Sequence, residues 1–184
     1  MRSDATRRRE NIVREARTLF AAHGAGVPLE SVAEAAGVGI ATLYRNFESR
    51  TALADAVALA ILADMGSAAV EALADFRTDP AAAWHTFITR LVDLDLGALT
   101  EALAHYVADD LSGPVRDAQV HTLARVAELL TVAQDAGIVR PDLDALELVL
   151  AMGMITRPQP EAIRSATPRL VPRLVDIFEA GMRP

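Results

Sequence analysis

Residues 28–53, PLESVAEAAGVGIATLYRNFESRTAL, hold two short segments with apolar stripes, separated by little more than a glycine-containing turn. No other feature constrains the fold as strongly. Leu29, Val32, Ala33 and Ala36 recur at helical spacing, Pro28 suits a first turn, and Gly37 closes the segment. A second segment starts after Gly39 and reaches about Phe47. Two helices joined by so tight a glycine turn make a helix-turn-helix, the arrangement that presents its second helix to a groove.

The second helix is unusually polar for its length. At about 100° per residue, Ile40, Leu43 and Phe47 fall within about 60° of one another, so they are expected to form its buried stripe. Arg45 and Thr42 then lie nearly opposite, with Tyr44 and Asn46 on the shoulders and Arg50 just beyond. Hydroxyls, a carboxamide and a guanidinium fork suit phosphate oxygens, and Arg also suits a guanine edge. A solvated face would carry polar residues too, so periodicity alone leaves both readings open.

Elsewhere the chain reads as helix throughout. It has 184 residues, 52% hydrophobic and only 4% aromatic, and its alanine- and leucine-rich segments favour helices over strands. A first helix is expected from about Asp4 to His23, with the stripe Ile12, Ala16, Leu19, Phe20 and His23, ended by Gly24 and Gly26. Ser49 should cap a long helix reaching about Phe76, with Gly66 as a candidate kink. Further helices are expected over about 80–94, 98–110, 115–136, 143–155 and 169–182, with Pro172 in the first turn of the last and a Pro-rich loop before it. The fold class is therefore all-α, with about nine helices.

Charge is divided unevenly. The net charge is −7, yet residues 1–50 hold eight Arg against six Asp and Glu, while residues 51–184 hold ten against nineteen. A basic N-terminal unit can meet phosphate while the remainder is acidic, because exposed charges more than about 10 Å apart are largely screened. Arg7, Arg8 and Arg9, in the first turns of the first helix, are candidates for phosphate contact or for a solvated basic face. All eighteen basic residues are Arg.

Several classes find no support. Without cysteine there can be no disulfide, thiolate metal site or Cys nucleophile. No apolar run follows the N-terminal arginines, so no secretory signal is expected. The most apolar stretch, ALADAVALAILADMG, is interrupted by Asp55 and Asp64 and reads as too short and too charged to span a bilayer. His85, His105 and His121 lack i, i+4 spacing, and the acidic runs at Asp93–Asp95 and Asp109–Asp110 read as solvated. Neither metal nor cofactor is expected, nor a catalytic centre, since no nucleophile–base pair or phosphate loop is evident.

The segment from Pro28 to Leu53 closely resembles the DNA-binding unit of TetR-family transcriptional repressors. The match lies in the Ala-Gly-Val turn, the Thr-Leu-Tyr triplet, Asn46 followed by aromatic Phe47, and basic Arg50 with the apolar pair Ala52 and Leu53 just beyond. It departs where Asn46 and Arg50 stand for a frequent His and Lys, and where Gly39 replaces a Ser or Thr cap, a change costing a few tenths of a kcal/mol. The resemblance implies a DNA-binding domain over 1–50, with Thr42, Tyr44, Arg45, Asn46 and Arg50 at the operator. It implies a ligand-binding and dimerisation domain over 51–184, and a cytoplasmic homodimer released from a palindromic double-stranded operator by a small molecule. The alternative is a helical sensor or partner-binding protein of the same type without a specific operator.

For the ligand pocket, Trp84, Phe87, His105, Tyr106 and Met152 are the candidates, with His85 and Thr86 as further polar groups. An apolar or amphipathic ligand is expected, with a cation second. For the dimer interface, the resemblance points to the last two long helices, through Leu146, Val149, Leu150, Leu170, Leu174, Ile177 and Phe178.

Overall fold

A computed structural model describes residues 2–24, 26–94, 96 and 112–184, with the side chains of Arg2 and Ser3 excluded. Among the described residues there are nine α-helices and no strand: α1 (Arg2–His23), α2 (Leu29–Ala35), α3 (Ile40–Asn46), α4 (Arg50–Asp75), α5 (Pro80–Asp93), α6 (Gly113–Asp135), α7 (Ala145–Ile155), α8 (Glu161–Ala166) and α9 (Leu170–Gly181). The helix expected over 98–110 lies outside the described residues, and with it His105 and Tyr106.

Local chemistry sets most boundaries. Ser49 caps α4 by accepting a hydrogen bond from the Ala52 amide at 3.0 Å, and Asp79 does the same for α5 through Ala82. Asp144 and Glu147 exchange side chain-to-backbone bonds at the start of α7, satisfying two amides that the first turn leaves without helical partners. Gly24 and Gly137 take positive φ at the ends of α1 and α6, a conformation that costs other residues steric strain. Pro172 is the third residue of α9, inside the first turn, where its missing N–H is harmless.

The helix α4 is the axis of the molecule. It packs against α1, α5 and, most extensively, α6, and buries Leu53, Val57, Ile61, Leu62 and Met65 among others. Each such side chain contributes about 1.5–3 kcal/mol relative to exposure. Phe87, Ile88, Leu91, Leu129, Leu148 and Met152 continue the same core.

The helix α4, with Gly66 inside it, runs unbroken from Arg50 to Asp75; a Cβ at Gly66 would meet Thr122 and Arg125 at 3.7 Å, an ordinary van der Waals distance. Two expectations are corrected. The apolar stretch around Ala58 is not too short to cross a membrane. By length and composition the 26-residue α4 qualifies, with a mean hydropathy of 1.7 over its best window, but 61% of that window is buried within the protein. The Pro-rich loop contains the short helix α8, which has no buried residue and therefore no apolar stripe to announce it.

Candidate nucleic-acid interface

The helix-turn-helix is held together from three sides. Asn11 on α1 donates from Nδ2 to the Ala36 carbonyl at 2.8 Å, satisfying the end of α2. Gly37 turns the chain with φ +65°, and the Val38 amide bonds back to the Ala33 carbonyl. Arg50, at the first residue of α4, donates to the Val27 carbonyl at 2.6 Å and so fixes the loop before α2. From α1, the Arg9 guanidinium lies 4.6 Å from the centre of the Phe47 ring. Together these contacts set the angle at which the seven-residue α3 leaves the surface.

Leu43 and Phe47 are buried, as their spacing predicts. Ile40 is not: it is 37% exposed, and the apolar stripe of α3 is correspondingly narrower than expected. The physical reason is at the other end of the helix. Phe47 is the C-cap, with φ −140° and ψ 108°, so its ring reaches the core from an extended residue and does not share a helical face with Ile40. Relative to the wheel, α3 is rotated so that Ile40, Ala41, Tyr44 and Arg45 face outward, and Thr42 and Asn46 become half-buried shoulders.

The polar groups on α3 are organised before any ligand arrives. Arg45 folds along its own helix, donating from Nη2 to Thr42 Oγ1 at 2.9 Å and from Nε to the Ala41 carbonyl at 3.2 Å. Asn46 Nδ2 donates to the Thr42 carbonyl at 2.8 Å. Tyr44 is 48% exposed. Arg7, Arg8 and Arg9 are exposed on α1, and the Arg9–Phe47 contact sets Arg9 beside the end of α3. Exposed Ile40 was missed by sequence reasoning, because its stripe spacing is that of a core residue.

The candidate ligand residues are placed differently. Trp84 and Phe87 are buried with ring centres 5.8 Å apart, and Met152 is fully buried. His85 and Thr86 lie on the exposed side of α5, where His85 Nδ1 is 2.9 Å from the Glu179 carboxylate of α9. They do not share the buried side of Trp84 and Phe87. Of the interface candidates, Leu146, Leu150, Leu170, Leu174 and Ile177 are exposed, while Val149 and Phe178 are partly buried against the core.

Residues 12–57 match the sequence profile of the bacterial regulatory proteins, tetR family. Residues 79–184 match that of the transcriptional regulator SbtR-like C-terminal domain. The crystal structure of the TetR transcription regulatory protein from Mycobacterium vanbaalenii is 34% identical, with a TM-score of 0.66 over 100% of this chain and 99% of that one. A TetR transcriptional regulator from Streptomyces coelicolor is 29% identical, with a TM-score of 0.67 over 96% and 98%. The TetR regulatory protein from Rhodobacter sphaeroides, at 20% identity and a TM-score of 0.61 over 94% and 95%, shares the fold. No curated protein gives a significant match. The chain belongs to the TetR family of transcriptional regulators.

Proposed function

We propose that the protein is a dimeric, ligand-responsive repressor that binds a palindromic operator in the cytoplasm and leaves it when a small molecule binds. Residues 1–50 form the DNA-binding domain in this reading, and residues 51–184 bind ligand and partner. The observation that carries it is the outward face of α3, where Tyr44 and Arg45 are exposed beside the half-buried Thr42 and Asn46. On entering a major groove, Arg45 exchanges its bonds to Thr42 and Ala41 for a guanine edge or a phosphate. Tyr44, Thr42, Asn46 and Arg50 take backbone oxygens, and Ile40 offers an apolar contact of the kind that reads a thymine methyl.

A palindromic site requires a two-fold axis. The exposed apolar residues of α7 recur at i, i+4 (Leu146, Leu150), and those of α9 at i, i+4, i+7 (Leu170, Leu174, Ile177). Val149 and Phe178 flank these rows. Two such helices meeting their copies bury four apolar stripes in one bundle. The ligand is proposed to be apolar or amphipathic and to enter beside Trp84, Phe87 and Met152, with His105 and Tyr106 as orienting groups. Its preference for the DNA-free conformation sets how far it shifts the equilibrium.

The test is unbiased selection of duplexes by the purified protein. Enrichment of a palindrome with half-sites about one helical turn apart is expected. Recovery of unrelated sequences with no common half-site excludes a specific operator.

A further inference from the structure

Among the described residues, the three roomiest of the open clefts differ in how their charges are already used. The cleft between α1 and α4, about 440 Å³, is lined by Arg9, Arg14 and Arg17 with Glu10. Arg17 is bonded to Asp64 at 2.6 Å, Arg14 to Glu15 at 3.0 Å, and Arg9 lies on Phe47. A second, about 350 Å³, contains Arg157 and Arg164, and there Arg164 is bonded to Glu161 and Arg157 is also engaged. The third lies between α4 and α6, has a volume of about 410 Å³, and contains Leu59, Leu62, Ser67, His121, Thr122 and Arg125. It falls within the roughly 300–1,000 Å³ typical of ligand sites.

This third cleft differs from the first two in that its Arg is not already engaged, and no Asp or Glu lines it, in a chain of net charge −7. Arg125 forms no ion pair or hydrogen bond among the described residues, and neither does His121. The two are four residues apart on α6 and so share a face. Opposite them stands Gly66, where the Arg125 stem lies across α4, with Cδ and Nη1 3.7 and 3.9 Å from where a Cβ would be, ordinary van der Waals distances. Thr122 is fixed by its own bond to the Leu62 carbonyl at 3.1 Å. Asp117 and Glu128 sit about a turn before His121 and a turn after Arg125 on α6, and neither belongs to the lining.

We propose that this cleft binds a small carboxylate bearing a short apolar chain. The Arg125 guanidinium takes the carboxylate as a two-pronged partner, a geometry its planar fork matches. His121 and the Ser67 hydroxyl lie alongside it, and Leu59 and Leu62 receive the chain. The site is separate from the buried Trp84, Phe87 and Met152, and its existence does not depend on the operator reading.

Titration calorimetry on the full-length protein tests it with octanoate as probe, and octanol and octyltrimethylammonium as neutral and cationic counterparts. Saturable octanoate binding is expected, at least tenfold tighter than octanol, with no binding of the cation. Arg125→Gln should weaken octanoate at least tenfold and Arg125→Lys by less. Ser67→Trp should block the cleft while leaving Arg125 in place. Absence of octanoate binding, equal binding of octanol, or unchanged affinity in both Arg125→Gln and Ser67→Trp overturns the proposal. Octanoate that binds as expected but leaves operator affinity unaltered upholds the site and instead removes it as the effector site.

Discussion

Arg9 holds its guanidinium 4.6 Å from the ring centre of Phe47, joining the third turn of α1 to the residue that ends α3. The ring is 2% exposed, so the two members of this pair should respond very differently to removal. Phe47→Ala leaves a cavity and should cost about 3–5 kcal/mol of stability. Arg9→Ala loses a cation–π contact at an exposed position, worth about 0.5–1 kcal/mol. Denaturant unfolding of both variants gives the comparison, and a Phe47→Ala protein as stable as the parent contradicts the placement of the ring.

Tyr44 and Arg45 should matter for DNA and hardly at all for folding. Alanine at either position is expected to weaken operator binding by about 1–3 kcal/mol. The melting temperature should change by only a few degrees, since neither side chain is buried. Ile40→Ala should behave similarly in folding, and its binding loss should concentrate on one base pair of the half-site. A large loss of stability with unaltered affinity, for any of the three, reverses the assignment of the outward face of α3.

The two glycines of the turn have opposite requirements. Gly37 has φ +65° with open space around it, so Gly37→Ala adds backbone strain alone, about 1–2 kcal/mol. Gly39 caps α3 in an extended conformation, φ −72° and ψ 148°, with no side-chain bond to the first turn. Ser fits there and should stabilise by a few tenths of a kcal/mol. Thermal melts of Gly37→Ala and Gly39→Ser should therefore move in opposite directions.

Charge placed in the exposed rows of α7 and α9 should break the assembly. Leu174→Glu and Leu150→Glu both sit on solvent-facing positions of the single chain, so neither should unfold the monomer. Each would bury a carboxylate without a partner in a dimer, a penalty of several kcal/mol. Sedimentation of both variants should give monomers with intact helical circular dichroism, and an unchanged dimer places the interface elsewhere.

How much of this was legible in the sequence depended on whether the signal was local. Ser49, Gly24 and Gly37 act within one turn of themselves, and the boundaries they imply stand within a residue or two. Ile40 failed because a helical wheel assumes that every residue on it is helical, and Phe47 is not. The short α8 failed because a helix that buries nothing has no periodic stripe. The pairings of Arg17 with Asp64 and of His85 with Glu179 join residues 47 and 94 positions apart; no spacing rule reaches that far. The same limit hid the cleft at Arg125, whose two walls come from stretches of chain more than fifty positions apart.

The helix α4 carries Arg50 at one end and Asp75 at the other, 26 residues without a break. At 1.5 Å per residue it is a rod of about 39 Å, so a tilt of about 5° about its far end swings its start by roughly 3 Å, close to one base-pair step. Arg17 ties α1 to the middle of this rod through Asp64, and to the Leu94 carbonyl just past α5 at 3.4 Å. In the proposed dimer the reading head is mounted on a lever: a displacement too small to disturb the packing around Met65 would become, at Arg50, the difference between two half-sites in register and two that no longer are.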